Sequence, residues 1–165
     1  MKTPPVELPA KTDEGEFTAR YSDAGLTKLS FPKAGRAAAR VAKKETIPVK
    51  ILGWHRLTEA ALKAILAGRQ PKKFPPLDLG GTDFQKRVWQ ALRKIPVGRT
   101  KSYGEIAQAI GRPKAVRAVG GACGANPVPV LVPCHRVLAA NGKIGGFSGG
   151  LERKRQLLSR EGVKI

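Results

Sequence analysis

The chain has 165 residues with 31 Lys+Arg against 12 Asp+Glu, a formal charge of +19, and only two cysteines. That length supports one domain, or two small ones sharing a core, without disulfides or metal to hold it. It excludes a cysteine framework, and no apolar run approaches the roughly 18 residues needed to span a bilayer. The start MKTPPVELPAKTDEGEF carries no apolar signal region, so a reducing intracellular setting is expected: cytoplasm or nucleoid in a prokaryote, nucleus in a eukaryote.

The charge is uneven: 15 basic and 8 acidic residues precede Gly80, and 16 and 4 follow it. A charge this high points to a polyanion, nucleic acid above all. A merely solubilising surface stays open on composition alone.

In chain order, residues 1–15 are rich in Pro, Lys and acids and read as loose. Glu16 to Pro32 reads as a hairpin about Ser22-Asp23-Ala24-Gly25, with Phe17, Ala19 and Tyr21 on one side and Leu26, Leu29 and Phe31 after the turn. Lys33 to Lys44 is Ala-rich and basic with almost no apolar stripe, hence a surface helix or a solvated basic stretch. Pro48 to Gly53 reads as a short strand. Thr58 is placed as the cap of a helix to Ala67, with Leu62, Ile65 and Leu66 on one face and Gly68 as its stop. Arg69 to Gly81, with three prolines and a glycine pair, reads as a linker. It sets the expected boundary: an N-terminal α+β domain, 1–76, and a C-terminal domain, 77–165.

The signals then sharpen. Thr82 and Gln85 form a capping box before Phe84, Val88, Ala91, Leu92 and Ile95 at helical spacing, with Trp89 beside the stripe. Ser102 and Glu105 form a second box, opening a short helix with Ile106, Ala107 and Ile110. A helix from about Lys114 to Asn126 follows a tight Gly111 turn, the pattern of a helix-turn-helix. Ala115, Ala118, Gly120, Gly121, Ala122 and Gly124 leave this second helix nearly bald. Either it packs tightly in a core, or it lets another backbone come close, with Arg112, Lys114 and Arg117 supplying charge for phosphates. A last helix, Leu151 to Arg160, should turn Leu151, Leu157 and Leu158 inward.

Between these helices lies Val132-Pro133-Cys134-His135-Arg136-Val137. An apolar approach and a basic pair after the cysteine describe a buried, reachable thiol in a positive field. Such a setting lowers a thiol pKa and makes a nucleophile, although most lone cysteines are small buried hydrophobes. A free thiol, with a pKa of about 8.5, needs a base at neutral pH. His135 is the nearest, but neighbours in an extended segment point to opposite faces. Either Pro133 starts a turn, or the proton travels through water. The loop Gly145–Gly150 lacks GxGxxG and a terminal Lys-Ser/Thr, which argues against a nucleotide site. Cys123, Cys134, His55 and His135 match no zinc spacing, so no metal and no cofactor is expected. The signatures of a papain-like hydrolase are missing.

GTDFQKRVWQALRKIPVGRTKSYGEIAQAIGRP, KAVRAVGGACGANPVPVLVPCHRV and GGFSGGLERKRQLLSREG, in that order, resemble the O6-alkylguanine-DNA alkyltransferase family. The resemblance covers the C-terminal part completely and the N-terminal part loosely. It implies an α+β fold: a small ribonuclease-H-like sheet domain, then a helical domain with a winged-helix-like helix-turn-helix. It implies direct-reversal repair of duplex DNA bound through the minor groove by a monomer, with no membrane. The alkylated guanine is flipped out and its alkyl group moves irreversibly to Cys134, once per molecule.

The resemblance also assigns roles. His135 acts through water on Cys134, oriented by Glu161. Asn126 ties the recognition helix to the cysteine turn. Tyr103 crowds the rotating phosphate and protonates guanine N3, and Arg117 fills the gap left by the flipped base. Backbone carbonyls of Cys134 and Val137 accept from the guanine amine, Ser148 donates towards O6, and Phe147, where tyrosine is common, forms an aromatic wall. Arg112, Lys114, Ala115 and Gly120 line the DNA face. For Arg136, an ion pair and a direct electrostatic role both stand. The rival from another class is a helix-turn-helix regulator or damage sensor without alkyl transfer, against which Cys134 itself argues.

Overall fold

The computed structural model describes residues 4–33 and 46–165, so the expectation for the basic stretch 33–44 falls, beyond Lys33, outside the described residues. The chain opens with an antiparallel sheet of β1 (Val6–Thr12), β2 (Gly15–Tyr21) and β3 (Leu26–Ser30), in that order. The hairpin of β2 and β3 is as expected; β1 is not, since the composition of residues 1–15 predicts a loose segment. Pro9 stands within what is otherwise a regular alternation: Leu8 and Ala10 are buried, paired with Ala19 and Phe17. Pro9 is tolerated because β1 is an edge strand. Its carbonyl accepts from His55 Nε2 at 2.9 Å and so faces away from β2.

Helix α1 (Val49–Leu66) packs on this sheet. The strand expected at 48–53 is its first turn. Pro48 stands at the N-cap, where a missing N–H costs nothing. Thr58 is a mid-helix residue, buried, with its Oγ1 donating to the Trp54 carbonyl at 3.0 Å and 2.8 Å from the Tyr21 hydroxyl. A threonine bonded back to the residue four before it resembles a cap in sequence only. Ile51, Leu62, Ile65 and Leu66 do form the buried face. Gly68, at φ +75°, ends the helix where a Cβ would lie 2.0 Å from the Arg160 carbonyl oxygen.

The segment after α1 is laid along the free edge of β3. Leu26 N–H donates to the Pro76 carbonyl at 2.8 Å and Asp78 N–H to the Leu26 carbonyl at 2.9 Å. Farther along, Leu29 N–H donates to the Pro127 carbonyl at 2.9 Å. The edge is thereby covered rather than open, and the sheet is fastened to the segment that leads to Cys134.

Helices α2 (Asp83–Leu92), α3 (Tyr103–Ala109) and α4 (Val116–Gly124) pack together. Both capping boxes form, Thr82 with Gln85 and Ser102 with Glu105. Val88, Leu92, Ile95 and Trp89 are buried, and Trp89 Nε1 donates to the Ala122 carbonyl at 2.9 Å, pinning α2 to α4. Two-residue strands β4 (Lys101–Ser102) and β5 (Val137–Leu138) pair in parallel, Lys101 with Val137 and Ser102 with Leu138. This short ladder joins the start of the helix-turn-helix to the residues just after Cys134. Helix α5 (Leu151–Arg160) closes the chain, with Leu157 and Leu158 buried. Leu151 departs from expectation: it is 43% exposed, and the buried residue of that turn is Lys154. The ion pair of Arg160 with Glu14 links α5 to the β1–β2 turn. No helix among the described residues is long and apolar enough to cross a membrane.

Candidate functional site

Cys134 opens a 3-10 turn, Cys134–Arg136, with Pro133 at its N-cap. The turn resolves the problem of adjacent side chains: in place of an extended segment, Cys134, His135 and Arg136 are wound together and all buried. The approach to it is strained. Val130 has φ 77° in the left-handed region, where a β-branched side chain costs about 1–3 kcal/mol. Two bonds hold the bend: Asn126 Nδ2 donates to the Val132 carbonyl at 2.8 Å, and Val128 N–H donates to Asn126 Oδ1 at 2.9 Å. Asn126 therefore ties the end of α4 to the cysteine turn, the place expected of it. The sequence carries no signal for the strain at Val130.

His135 Nε2 lies 2.8 Å from Glu161 Oε2. Arg136 donates to the same carboxylate from Nε at 2.8 Å and a terminal nitrogen at 3.1 Å, and its other nitrogen donates to the Ile95 carbonyl at 2.7 Å. Glu161 is thus a buried acceptor at the C-cap of α5. Burial would raise its carboxyl, but the bonds and charges of His135 and Arg136 outweigh this and hold it at about 2. A carboxylate cannot donate, so the proton between His135 and Glu161 sits on Nε2, and Nδ1 is left with its lone pair. His135 Nδ1 is buried with no hydrogen-bond partner among the described residues. Burial keeps this imidazole below its ordinary pKa, hence neutral at pH 7. The arrangement fixes the tautomer from behind and leaves Nδ1 chemically able to take up a proton. For Arg136, the ion pair with Glu161 decides between the two readings left open.

The thiol itself corrects an expectation. Burial pushes Cys134 above the ordinary cysteine value, and a hydrogen bond from the Asn126 side chain and the charge of Lys154 only partly offset this. The apolar approach that precedes Cys134 also desolvates it, so the positive field does not prevail and the side chain rests as a protonated thiol.

One neighbour carries no expectation from the sequence. Lys154 is fully buried, and its Nζ donates to the Val137 carbonyl at 2.7 Å and the Gly146 carbonyl at 3.0 Å. In sequence it is one of a basic run, LERKRQLL. Its position four residues after Gly150 and three before Leu157, on the inner face of α5, was the available sign. Burial lowers its pKa, and the two cysteines oppose that. Cys123 is a free, buried thiol pushed up to about 12 by burial and by Cys134. It belongs to the inner face of α4, as a small residue there should.

Tyr103 is the first residue of α3, set by the Ser102 cap and the β4–β5 ladder. Burial raises its phenol, with smaller contributions from both cysteines, so it remains a donor. The loop Gly145–Gly150 lies against it: a Cβ on Gly145, at φ +70°, would stand 3.0 Å from the Tyr103 hydroxyl. Val137 is buried, Phe147 half-buried and Ser148 exposed. Arg112 and Lys114, in the turn before α4, and Arg117, Ala118, Gly121 and Gly124 on its outer face are exposed to solvent. Around Gly120, Gly121 and Gly124 an added Cβ would meet nothing within 4 Å. The baldness of α4 therefore does not serve internal packing; it leaves a smooth, basic-rimmed surface. No cluster of His, Cys, Asp and Glu suited to a metal occurs among the described residues.

This geometry has counterparts. Residues 83–163 match the family model described as 6-O-methylguanine DNA methyltransferase, DNA binding domain. The methylated-DNA--protein-cysteine methyltransferase of Mycobacterium bovis is 57% identical over 100 residues, 61% of each chain. The match thus spans about three-fifths of the length of that curated relative. The bifunctional transcriptional activator/DNA repair enzyme Ada of Escherichia coli is 57% identical over 86 residues, 52% of this chain and 24% of that one. Among solved structures, Mycobacterium tuberculosis OGT in complex with DNA aligns with a TM-score of 0.75 and 40% identity over 95% of this chain and 91% of that one. The O6-methylguanine-DNA methyltransferase of Pyrococcus kodakaraensis aligns at 0.55 with 25% identity over 97% and 100%. The likeness extends through the N-terminal sheet, and the chain belongs to the 6-O-methylguanine DNA methyltransferase family.

Proposed function

We propose that this protein repairs O6-alkylguanine in duplex DNA by moving the alkyl group to its own Cys134, once per molecule. The observation that carries the reading is the buried His135, next in sequence to the buried Cys134, with Nε2 held by Glu161 at 2.8 Å and Nδ1 without a hydrogen-bond partner among the described residues. In the proposed reaction the Cys134 proton passes through a bridging water to His135 Nδ1. The sulfur then attacks the alkyl carbon in line, a carbon–sulfur bond forms, and the bond to O6 breaks with its electron pair going to the base. Tyr103 donates towards guanine N3 as that charge develops. The carbonyls of Cys134 and Val137 accept from the guanine amine, Ser148 donates towards O6, and Phe147 walls the base. A thioether does not hydrolyse, so there is no turnover.

The target atom is hidden inside a duplex, and flipping the base out costs a few kcal/mol. Helix α4 enters the minor groove in this reading, because a narrow groove admits only a helix with small side chains. Arg117, exposed on that face, fills the stack; Arg112 and Lys114 hold phosphates, and Ala115 and Gly120 permit the approach. All reacting groups come from one chain, which acts as a monomer. Residues 1–76 form the supporting sheet domain and 77–165 the DNA-binding, alkyl-accepting domain. The protein works inside the cell, where its DNA substrate is.

Incubation with duplex containing a labelled O6-methylguanine, beside the same duplex undamaged, tests the reading. Label should appear in the peptide holding Cys134. Strong binding to one undamaged sequence without label transfer would instead mark a regulator.

A further inference from the structure

The loop Gly145–Gly150 is held at both ends, and the two anchors belong to different parts of the chain. At its start, Gly145 lies against the Tyr103 hydroxyl and the Gly146 carbonyl accepts from Lys154 Nζ at 3.0 Å. At its end the anchor is Phe31, the residue that follows β3. The Phe31 and Phe147 rings lie 5.8 Å apart at 72°, an edge-to-face pair. Phe31 is itself backed by Phe17, 5.5 Å away, and covered by the Arg153 guanidinium, 4.4 Å from its centroid. Gly149 lies against the edges of both rings, where a Cβ would stand 2.7 Å from Phe31 Cε2 and 2.8 Å from Phe147 Cε2. The glycine is therefore required by space, and the loop cannot move outward at this end without dissolving the aromatic contact.

We infer that Phe31 is a positioning residue of the alkyl pocket: through Phe147, the N-terminal sheet sets how far the pocket loop stands from Cys134, and so how large an alkyl group is accepted. The inference rests on the proposed role of Phe147 as a pocket wall. Phe17 and Arg153 fix the Phe31 ring from two further directions, so the wall inherits the stiffness of the sheet. Removing the ring lets Phe147 retreat, which admits a bulky group and loosens the hold on a small one.

The test compares single-turnover transfer to Cys134 from duplex O6-methylguanine and from free O6-benzylguanine, using the full chain. Variants are Phe31→Leu, the milder replacement, Phe31→Tyr, which keeps the ring, and Leu8→Ala, a core truncation in β1 at the far edge of the same sheet. The benzyl-to-methyl rate ratio should rise about three- to tenfold in Phe31→Leu, the range an edge-to-face pair spans. Phe31→Tyr should restore the wild-type ratio, and Leu8→Ala should lower the melting temperature without moving it. An unchanged or lower ratio in Phe31→Leu, or an equal rise in Leu8→Ala, would overturn the inference while transfer by the wild type stands. Transfer by the wild type from neither substrate would overturn the proposed function and this inference with it.

Discussion

Glu161 holds His135 and Arg136 on one buried carboxylate, with its Oε2 2.8 Å from the imidazole and its Oε1 2.8 Å from the guanidinium. The pair couples catalysis to stability. Glu161→Gln removes the charge but not the shape, leaving Arg136 buried without its counter-ion. Breaking one side of a buried pair costs about 3–5 kcal/mol. The denaturation midpoint should fall accordingly, and transfer should slow because His135 loses the acceptor that fixes its tautomer. A variant with wild-type stability and rate would show that Glu161 is a bystander.

Acid should act on the same group. Glu161 is held at about 2 against an ordinary 4.5, so its stabilisation is full above 4.5 and is lost as pH falls through about 2. His135 is lowered from 6.5 by burial, so the folded state resists its protonation and stability declines as pH drops below 6.5. Both shifts have the same sign. Melting temperature followed downward from pH 8 should begin to fall near 6.5, with a flatter course between 6.5 and 4.5 in His135→Asn. Transfer should persist at pH 6.5, since the base keeps its lone pair there. Parallel profiles for the variant and the wild type would contradict the buried neutral imidazole.

On α4, function and stability should part. Gly121 is exposed in mid-helix with open space around it. Gly121→Ala should stabilise the protein by about 0.5–1 kcal/mol, and Gly121→Leu should find room as well. Both should weaken binding to duplex DNA, Leu far more than Ala, measured at one fixed salt concentration. Unimpaired binding by Gly121→Leu would remove α4 from the groove.

Lys154→Met keeps most of the volume and deletes both donors. The carbonyls of Val137 and Gly146 lose a buried partner, at about 1–3 kcal/mol each. Amide exchange in residues 145–150 should accelerate relative to α2. Unchanged exchange would mean that the loop is held by its aromatic end alone.

Much of this could be read from the sequence where local chemistry and tertiary structure agree. Thr82 with Gln85 and Ser102 with Glu105 cap helices because the bonds they make are local, and Leu151–Arg160 is bounded by Gly150 and Gly162. The motif around Cys134 also stood out, together with the partners that the family resemblance supplied. What escaped depends on distant groups. Strand β1 exists because β2 pairs with it and His55 takes up the Pro9 carbonyl. Thr58 is central in α1 because Tyr21 meets it there. Lys154 looks like any surface lysine until the Val137 and Gly146 carbonyls are seen around it. The resting state of Cys134 follows from how completely the fold desolvates it, which no neighbour in sequence reveals.

The central claim is tested most directly by titrating the protein with O6-methylguanine duplex under reducing conditions and reading its intact mass. The mass should rise by one methyl group and no more, at one equivalent of damaged base. The added group should map to Cys134 rather than Cys123, and Cys134→Ser should remain unmodified. An unmodified protein in excess damaged duplex, repeated turnover, or methyl on Cys123 would contradict it.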